Sequence, residues 1–418
     1  MKRYKKIIAL VVVVVFSIGI YYIQPLFGPN KKPEFSVVAK SGDKSLTENM
    51  SITGYYYENS QLGIGTEMKI TPGKTIYQSE KSYLDQLKSF GNINEKISQL
   101  QEDYRGFMRG KNSDLANFYE DEMILAYAEI TTDAFSTISK DSKITIDVLN
   151  KQTNEESSFS VNLPKADEYG YMYVEDVQVA NNQLIVITNG YRVNSSNSQD
   201  EQHLYSISIP KEKIEKDEKI QLDLIDSKGK QIQYVELMNA STSITPANFL
   251  VYRVELNDDS TNMDMYEENQ VMTLPVYELI GVNVETGEQF LISGSEELNR
   301  HGIAAILSTE SDNLYFYKKD GANLSLYEYD LNQKELTEVK VGELSAAQQA
   351  MFNEGVIVQV REGIMYFVTA YKIRDNELQM LAFDSNSGEL VLEGIIEEKT
   401  DYPAKREEVH IENILFEQ

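Results

Sequence analysis

Along most of the chain, apolar side chains recur at every second position in short runs, and polar turns separate each run from the next. That period is the pleat of a strand with one buried face. The clearest unit is Leu378 to Glu393: an apolar run, a turn carrying Asp384, Asn386 and Gly388, then Leu390, Leu392 and Ile395. The same unit occurs at Leu324 to Leu336, with Asp330 and Asn332 in the turn, and at Leu279 to Leu291, with Gly287. Asp and Asn bond their own backbone in tight turns, and Gly supplies positive φ, so each unit predicts a β-hairpin. A repeated hairpin of this kind predicts an array of small antiparallel sheets.

Five such units can be followed from Asp114 onward. They contain the runs Met123 to Ile130 with Ile144 to Leu149 and Phe159 to Leu163; Val174 to Val179 with Leu184 to Thr188 and Leu204 to Ile209; Phe249 to Val254 with Tyr277 to Val284 and Phe290 to Ile292; Leu314 to Tyr317 with Leu324 to Tyr329 and Leu336 to Val341; and Val356 to Val360 with Ile364 to Thr369, Leu378 to Phe383 and Leu390 to Ile396. Equivalent strand ends at Val148, Ile209, Val284, Tyr329 and Phe383 lie 61, 75, 45 and 54 residues apart. Polar insertions at Asn194 to Gln202 and Asn257 to Thr273 account for the wider gaps. A last strand, His410 to Phe416, is placed to pair with amino-terminal β strands and close the array, which would remove free sheet edges. The expected fold is therefore mainly β, a β-propeller of six or seven blades.

Two departures from the β period stand out. Asn92 can cap a helix with Glu95 three residues on, and Ile97, Leu100, Tyr104, Phe107 and Met108 follow helical spacing. Residues 80–112 are thus expected to form a short helical insertion, set between a β segment at 35–79 and the main β domain at 113–418. At the amino terminus, Lys2, Arg3, Lys5 and Lys6 precede seventeen uncharged residues, Ile7 to Ile23. A basic flank before an apolar run directs insertion with residues 1–6 in the cytoplasm and everything after the run outside. Cleavage after Gly19 would make the run a signal peptide. Its continuation through Ile20-Tyr-Tyr-Ile23 favours an uncleaved signal-anchor, one transmembrane helix over 7–23, at the short end of the about 17 to 25 residues that span a bilayer. Residues 24–34, with prolines at 25, 29 and 33, form a stiff linker.

Charge narrows the partners. The formal net charge is -27 over 418 residues, and past the apolar run the chain holds 35 basic against 66 acidic residues. Such a surface repels phosphate backbones and so argues against nucleic acid; it favours basic proteins or divalent cations. Cysteine is absent, which removes disulfides, thiol nucleophiles and Cys-type zinc sites, and fits secretion from a Gram-positive cell.

The Leu314 to Val341 and Ile364 to Glu393 segments resemble blades of bacterial extracytoplasmic β-propeller proteins that lack a fixed dipeptide signature. That resemblance implies a fold; families of this kind include enzymes, docking scaffolds and ligand sensors, and no site residues follow from it.

Catalytic signatures are missing. No Gly-x-Ser-x-Gly occurs, and Gly73-Lys74-Thr75 lacks the glycine a phosphate-binding loop needs. Candidate binding residues are Arg300 and His301, in the Asn299-Arg-His-Gly302 turn before an inner strand, and Tyr191, a ring able to stack on a ligand. Asp258, Asp259 and Asp264 form an acidic loop that could hold calcium; no other cofactor is indicated. Asp384 to Glu389 offers oxygen ligands at alternate positions, but turn chemistry explains it. The sequence thus leads to a membrane-anchored extracytoplasmic propeller that docks a protein partner or senses a ligand at the cell surface. The alternative is an enzyme acting on cell-wall or polysaccharide material, with its site at the channel mouth.

Overall fold

The computed structural model describes residues 32–416 apart from 58–64, 81–94, 132–140, 194–199, 227–229, 240–243, 258–275, 295–305, 309–310, 374–376 and 400–407. Strands come first: β1 (Phe35–Gly42), β2 (Met50–Tyr57), β3 (Thr66–Ile70) and β4 (Thr75–Tyr77) precede helix α1 (Glu95–Asp103). After it the described chain folds into sheets in sequence order. Sheet I holds β5 (Phe118–Glu120), β6 (Ile124–Thr131), β7 (Lys143–Asn150) and β8 (Glu156–Asn162). Sheet II holds β9 (Tyr169–Ala180), β10 (Gln183–Arg192), β11 (Asp200–Ser208) and β12 (Lys213–Lys219). In sheet III are β13 (Gln231–Leu237), β14 (Phe249–Asn257), β15 (Val276–Asn283) and β16 (Gln289–Leu291). Sheet IV comprises β17 (Ile306–Leu307), β18 (Asn313–Asp320), β19 (Asn323–Asp330) and β20 (Glu335–Glu343), and helix α2 (Ala346–Glu354) follows. The remaining strands are β21 (Val356–Arg361), β22 (Ile364–Thr369), β23 (Tyr371–Ile373), β24 (Leu378–Asp384), β25 (Leu390–Glu398) and β26 (Glu408–Phe416).

The last two sheets are built from both ends of the chain. Sheet V runs β1-β25-β24-β22-β21, with Val37 opposite Ile396; sheet VI runs β23-β26-β2-β3-β4, with Ile52 opposite Ile414. The expected pairing of the carboxyl-terminal strand with amino-terminal strands is therefore in place. Thr75 ties the two sheets: its Oγ1 accepts from Phe35 N at 2.7 Å and donates to Phe35 O at 2.8 Å.

The described strand pairings are all antiparallel, and successive sheets pack face to face through separate apolar seams. Val186 and Tyr205 of sheet II meet Ile144 and Ile146 of sheet I, while Ile185 and Ile187 on its other face meet Tyr252 and Val254 of sheet III. Phe249 and Val251 meet Phe316 and Tyr329; Leu324 and Leu326 meet Met365 and Phe367; Tyr366 and Val368 meet Ile52 and Ile411. Burying each such side chain contributes about 1.5–3 kcal/mol. The period-2 pattern arises here, since each strand of a middle sheet supplies alternate residues to two seams. This stack of small sheets is propeller-like.

The hairpin unit read from the sequence has one stereochemistry in four sheets. Asp384 Oδ1 accepts from Asn386 N and Ser387 N at 3.0 and 2.8 Å, and Gly388 at φ 74° closes the turn. Asp330 with Lys334, Asn283 with Gly287 and Asn150 with Asn154 repeat it, each pair holding the side-chain acceptor and the positive-φ residue four places apart. Asp384 is thus engaged by its own turn.

Helix α1 packs Ile97 and Leu100, with Phe107 and Met108 beyond it, on Phe118, Leu125 and Leu149, covering the face of sheet I turned away from sheet II. Asn92, its expected cap, lies outside the described residues. The second helix, α2, is not marked by apolar periodicity. It begins at a capping box, where Ser345 accepts from Gln348 N and Gln348 accepts from Ser345 N, and it buries Met351 against sheets IV and V. Sheet VI buries one face only: Thr53, Glu67, Lys69, His410 and Glu412 lie on the other, where Tyr371 stacks on His410 at 4.5 Å. Among the described residues no apolar cluster joins sheet VI to sheet I. No helix among them is long and apolar enough to cross a membrane, and residues 7–23 lie outside them.

Candidate site at the seam of the second and third sheets

Strands β9 and β10, at 12 and 10 residues, are the longest pair in sheet II. Along the start of β9, Tyr171 and Tyr173 alternate with Met172 and Val174. The apolar pair faces sheet I, so the two tyrosines take the opposite face. Tyr191 on β10 stands directly opposite Tyr171, and Asp200 on β11 directly opposite Tyr191. The three rings form a ladder. Tyr171 and Tyr191 stack at 5.5 Å and 8° between planes, Tyr171 and Tyr173 at 6.4 Å and 17°. Tyr171 is 44% and Tyr173 49% exposed, a large aromatic area to leave in water. The Tyr171 hydroxyl donates to Asp200 at 3.3 Å.

One residue further along, the β9–β10 register shifts: Thr188 faces Val174 and Ile187 faces Asp176, leaving Glu175 as the extra residue of a β-bulge. Bulges re-aim side chains, and this one turns a carboxylate inward. Glu175 is 8% exposed; its Oε1 accepts from Asn189 Nδ2 at 3.2 Å, while Oε2 and Asn189 Oδ1, both buried, have no partner. Burial pushes the Glu175 carboxyl up to about 7, outweighing the Asn189 bond, and the charges of Asp200 and Glu236 add to it.

On β13, across the seam, Tyr234 is 50% exposed, while Glu236, between the seam residues Val235 and Leu237, takes the other face of sheet III. Glu236 pairs with Arg253 of β14, whose guanidinium lies 5.0 Å from the Tyr277 ring centre. Beneath the ladder a polar bracket fixes the two sheets. Asp176 Oδ2 accepts from Gln178 Nε2 at 3.0 Å, and Gln178 Oε1 accepts from Ala247 N of the loop before β14 at 2.9 Å. Full burial pushes the Asp176 carboxyl up to about 7 as well, against its bonds to Gln178 and Val177 N.

The opposite face of sheet II carries a second network. His203, 3% exposed, sits with Nε2 2.8 Å from the Tyr169 hydroxyl and Nδ1 2.7 Å from Asp217. Glu201 gathers Tyr169, Lys219 and Arg192 and is held down at about 2, the desolvation opposed first by Lys219 and Tyr169. These groups satisfy one another and line the seam with sheet I.

Of the residues singled out in the sequence, Tyr191 is in the ladder. Arg300 and His301 lie outside the described residues, as do Asp258, Asp259 and Asp264; among the described residues no three carboxylates or histidines gather as a metal site. Tyr171, Tyr173, Glu175, Asn189 and Tyr234 belong to no motif and escape a reading of the sequence. The alternation Tyr169-Gly-Tyr171-Met-Tyr173-Val-Glu175 carries the signal that could have found them, aromatic rings on one face of a strand and apolar side chains on the other.

No family model and no curated protein matches the chain. Among solved structures it is similar to a Dos1 propeller (10% identity, TM-score 0.28, covering 67% of this chain and 71% of that one). It is similar also to Trypanosoma rangeli sialidase (12% identity, TM-score 0.32, 67% and 54%) and to an acylaminoacyl peptidase in complex with Z-Gly-Gly-Phe-chloromethyl ketone (11% identity, TM-score 0.31, 88% and 52%). The chain spans about half the length of the sialidase and peptidase structures. At these scores the likenesses carry no argument; the fold rests on the sheet order and the seams between sheets.

Proposed function

We propose that this chain is a membrane-anchored, extracytoplasmic propeller of six blades, held by residues 7–23, that docks a basic segment of a partner protein at the cell surface. The observation that carries the reading is the ladder Tyr173–Tyr171–Tyr191: parallel, half-exposed rings edged by Asp200, with Glu175 buried beneath them, on a chain of net charge -27. Stacked tyrosines offer rigid contact area at small entropic cost, and the carboxylates select for Lys- and Arg-rich partners. A photo-crosslinker placed at Val193, beside the ladder, tests this in intact cells. The expected adduct is one reproducible basic protein, lost when Tyr171 and Tyr191 are replaced by Ala; an adduct indifferent to those changes refutes the reading.

One observation favours the enzyme reading. A carboxyl pushed up to about 7 beside stacked rings resembles a general acid next to a sugar platform. Turnover of a cell-wall glycan that disappears in Glu175→Gln would establish it over docking. A calcium ion held by Asp258, Asp259 and Asp264 belongs to the proposal too, and would raise the melting temperature of the chain by mass action; an unchanged melting temperature removes it.

A further inference from the structure

The ladder has a floor whose hydrogen-bonding capacity is unfilled. Glu175 Oε2 and Asn189 Oδ1 are acceptors on adjacent strands, linked through the 3.2 Å contact between Asn189 Nδ2 and Glu175 Oε1, and neither has a donor. Buried acceptors are almost always satisfied, and leaving two open in one place costs stability. Among the described residues no cation engages Glu175. The Arg253 guanidinium lies on the other face of sheet III, between the seam residues Tyr252 and Val254, and pairs there with Glu236 beside the Tyr277 ring. The half-exposed rings of Tyr173 and Tyr234, one from each sheet, are electrostatic neighbours of Glu175 on the solvent side.

We propose that Glu175 and Asn189 form a subsite for one arginine side chain of the partner, entering between Tyr173 and Tyr234. The proposal rests on the reading of the ladder as a docking face and names what that face selects. A guanidinium is planar and presents a fork of donors, which suits two neighbouring acceptors; it also stacks on tyrosine faces, as Arg253 does on Tyr277. A lysine ammonium can meet the charge but not the plane. Every other group around the carboxyl reinforces the choice. Asp200 on β11 and Glu236 on β13 are negative, Asp176 follows it along β9, and Tyr173, Tyr234 and Tyr252 are phenols. The ligand requires the ionised carboxylate, so binding releases a proton wherever Glu175 is protonated in the free protein. Affinity then rises with pH through about 7 and levels above it.

The test is isothermal titration of the full chain in detergent at physiological ionic strength, using capped hexa-arginine, hexa-lysine and hexa-citrulline at pH 6 and pH 8. Hexa-arginine is expected to bind several-fold tighter than hexa-lysine at pH 8, and citrulline, the uncharged shape, weakest. Glu175→Gln should cost about tenfold or more in arginine affinity and abolish both the preference over lysine and the pH dependence. Asn189→Leu should lose the preference while keeping the pH dependence. If Glu175→Gln binds as the parent does while Tyr171→Ala weakens all three peptides, the subsite is overturned and the docking face stands. If Tyr171→Ala and Tyr191→Ala also bind as the parent does, the docking face falls with it.

Discussion

Replacing Glu175 by Gln should make the folded chain more stable, and only above a defined pH. The carboxyl titrates at about 7 when folded and near its ordinary 4.5 when unfolded. Below 4.5 it is neutral in both states and contributes no pH-dependent term. Between 4.5 and 7 the unfolded chain gives up the proton first, so the folded state holds more protons and stability falls as pH rises. Above 7 the loss is complete and amounts to about 3 kcal/mol at 1.36 kcal/mol per pH unit. Gln keeps the shape and the acceptor for Asn189 Nδ2, and it stays neutral throughout. The variant should therefore gain up to about 3 kcal/mol at pH 8 and close to nothing at pH 4.5. With an unfolding entropy of about 2 cal/mol/K per residue, that is a rise in melting temperature of about 3–4 °C for a chain of this length. Asp176 titrates in the same window but is common to both proteins, and its own rise depends partly on the Glu175 charge, so the variant relieves it slightly too. Thermal melts of parent and variant at half-unit steps from pH 4.5 to 8.5 measure the difference directly. An increment that does not grow with pH would refute the reasoning, because it would mean that the carboxylate is solvated.

Three further outcomes follow from the packing. Gly54→Ala should disrupt the join between the chain ends, since a Cβ there would stand 2.0 Å from the backbone oxygen of His410; faster proteolytic trimming of β26 is the readout, and an unchanged digest contradicts the register. Asp384→Ala removes the acceptor of two backbone N–H groups in the β24–β25 turn and should cost about 1–2 kcal/mol in urea unfolding, a cost that calcium leaves unchanged. Leu326→Ala, in the seam between sheets IV and V, should cost about 2–5 kcal/mol by the same measurement; a smaller loss would show that this seam is loosely packed.

What the sequence revealed and what it hid divide along the range of the interactions. The hairpins at Asp384, Asp330 and Asn283 were legible because a side-chain acceptor and a positive-φ residue four places on are local chemistry. Helix α1 was legible because its apolar face is complete within the helix and the turns after it. Marginal strands with apolar residues, such as Phe159 to Leu163 and Leu336 to Val341, were legible too, but two others were not. In β12, Lys213 to Lys219, every side chain is exposed or half-exposed, because an outermost strand covers its neighbours only with its backbone. The inner strand β13 hid because only Val235 and Leu237 of its seven side chains are buried, too short an apolar alternation to read. The site was half hidden. Tyr191 could be picked as a ring, but the ladder exists only once β9 and β10 pair across a bulge, and a bulge is a register fact that no single strand carries.

The seam between sheets II and III changes character along its length, closing on an apolar cluster where Ile185 and Ile187 meet Tyr252 and Val254. Toward the start of β9 the same face changes to Asp176, Glu175, Asn189 and then open tyrosine. Gln178 ties Asp176 to Ala247 and so gives the first carboxyl a structural duty. Glu175 has no such duty: its one bond is to Asn189, its second oxygen is idle, and its ionisation weakens the fold. A glutamine or a leucine would pack there at lower cost, as exchanges of buried charged groups for neutral ones of similar volume often do. A group that stability disfavours, placed by a bulge, beneath exposed and ordered rings, is where binding rather than folding explains the residue. If the start of β9 is the docking face proposed above, a substitution that stabilises this seam will weaken whatever the ladder holds.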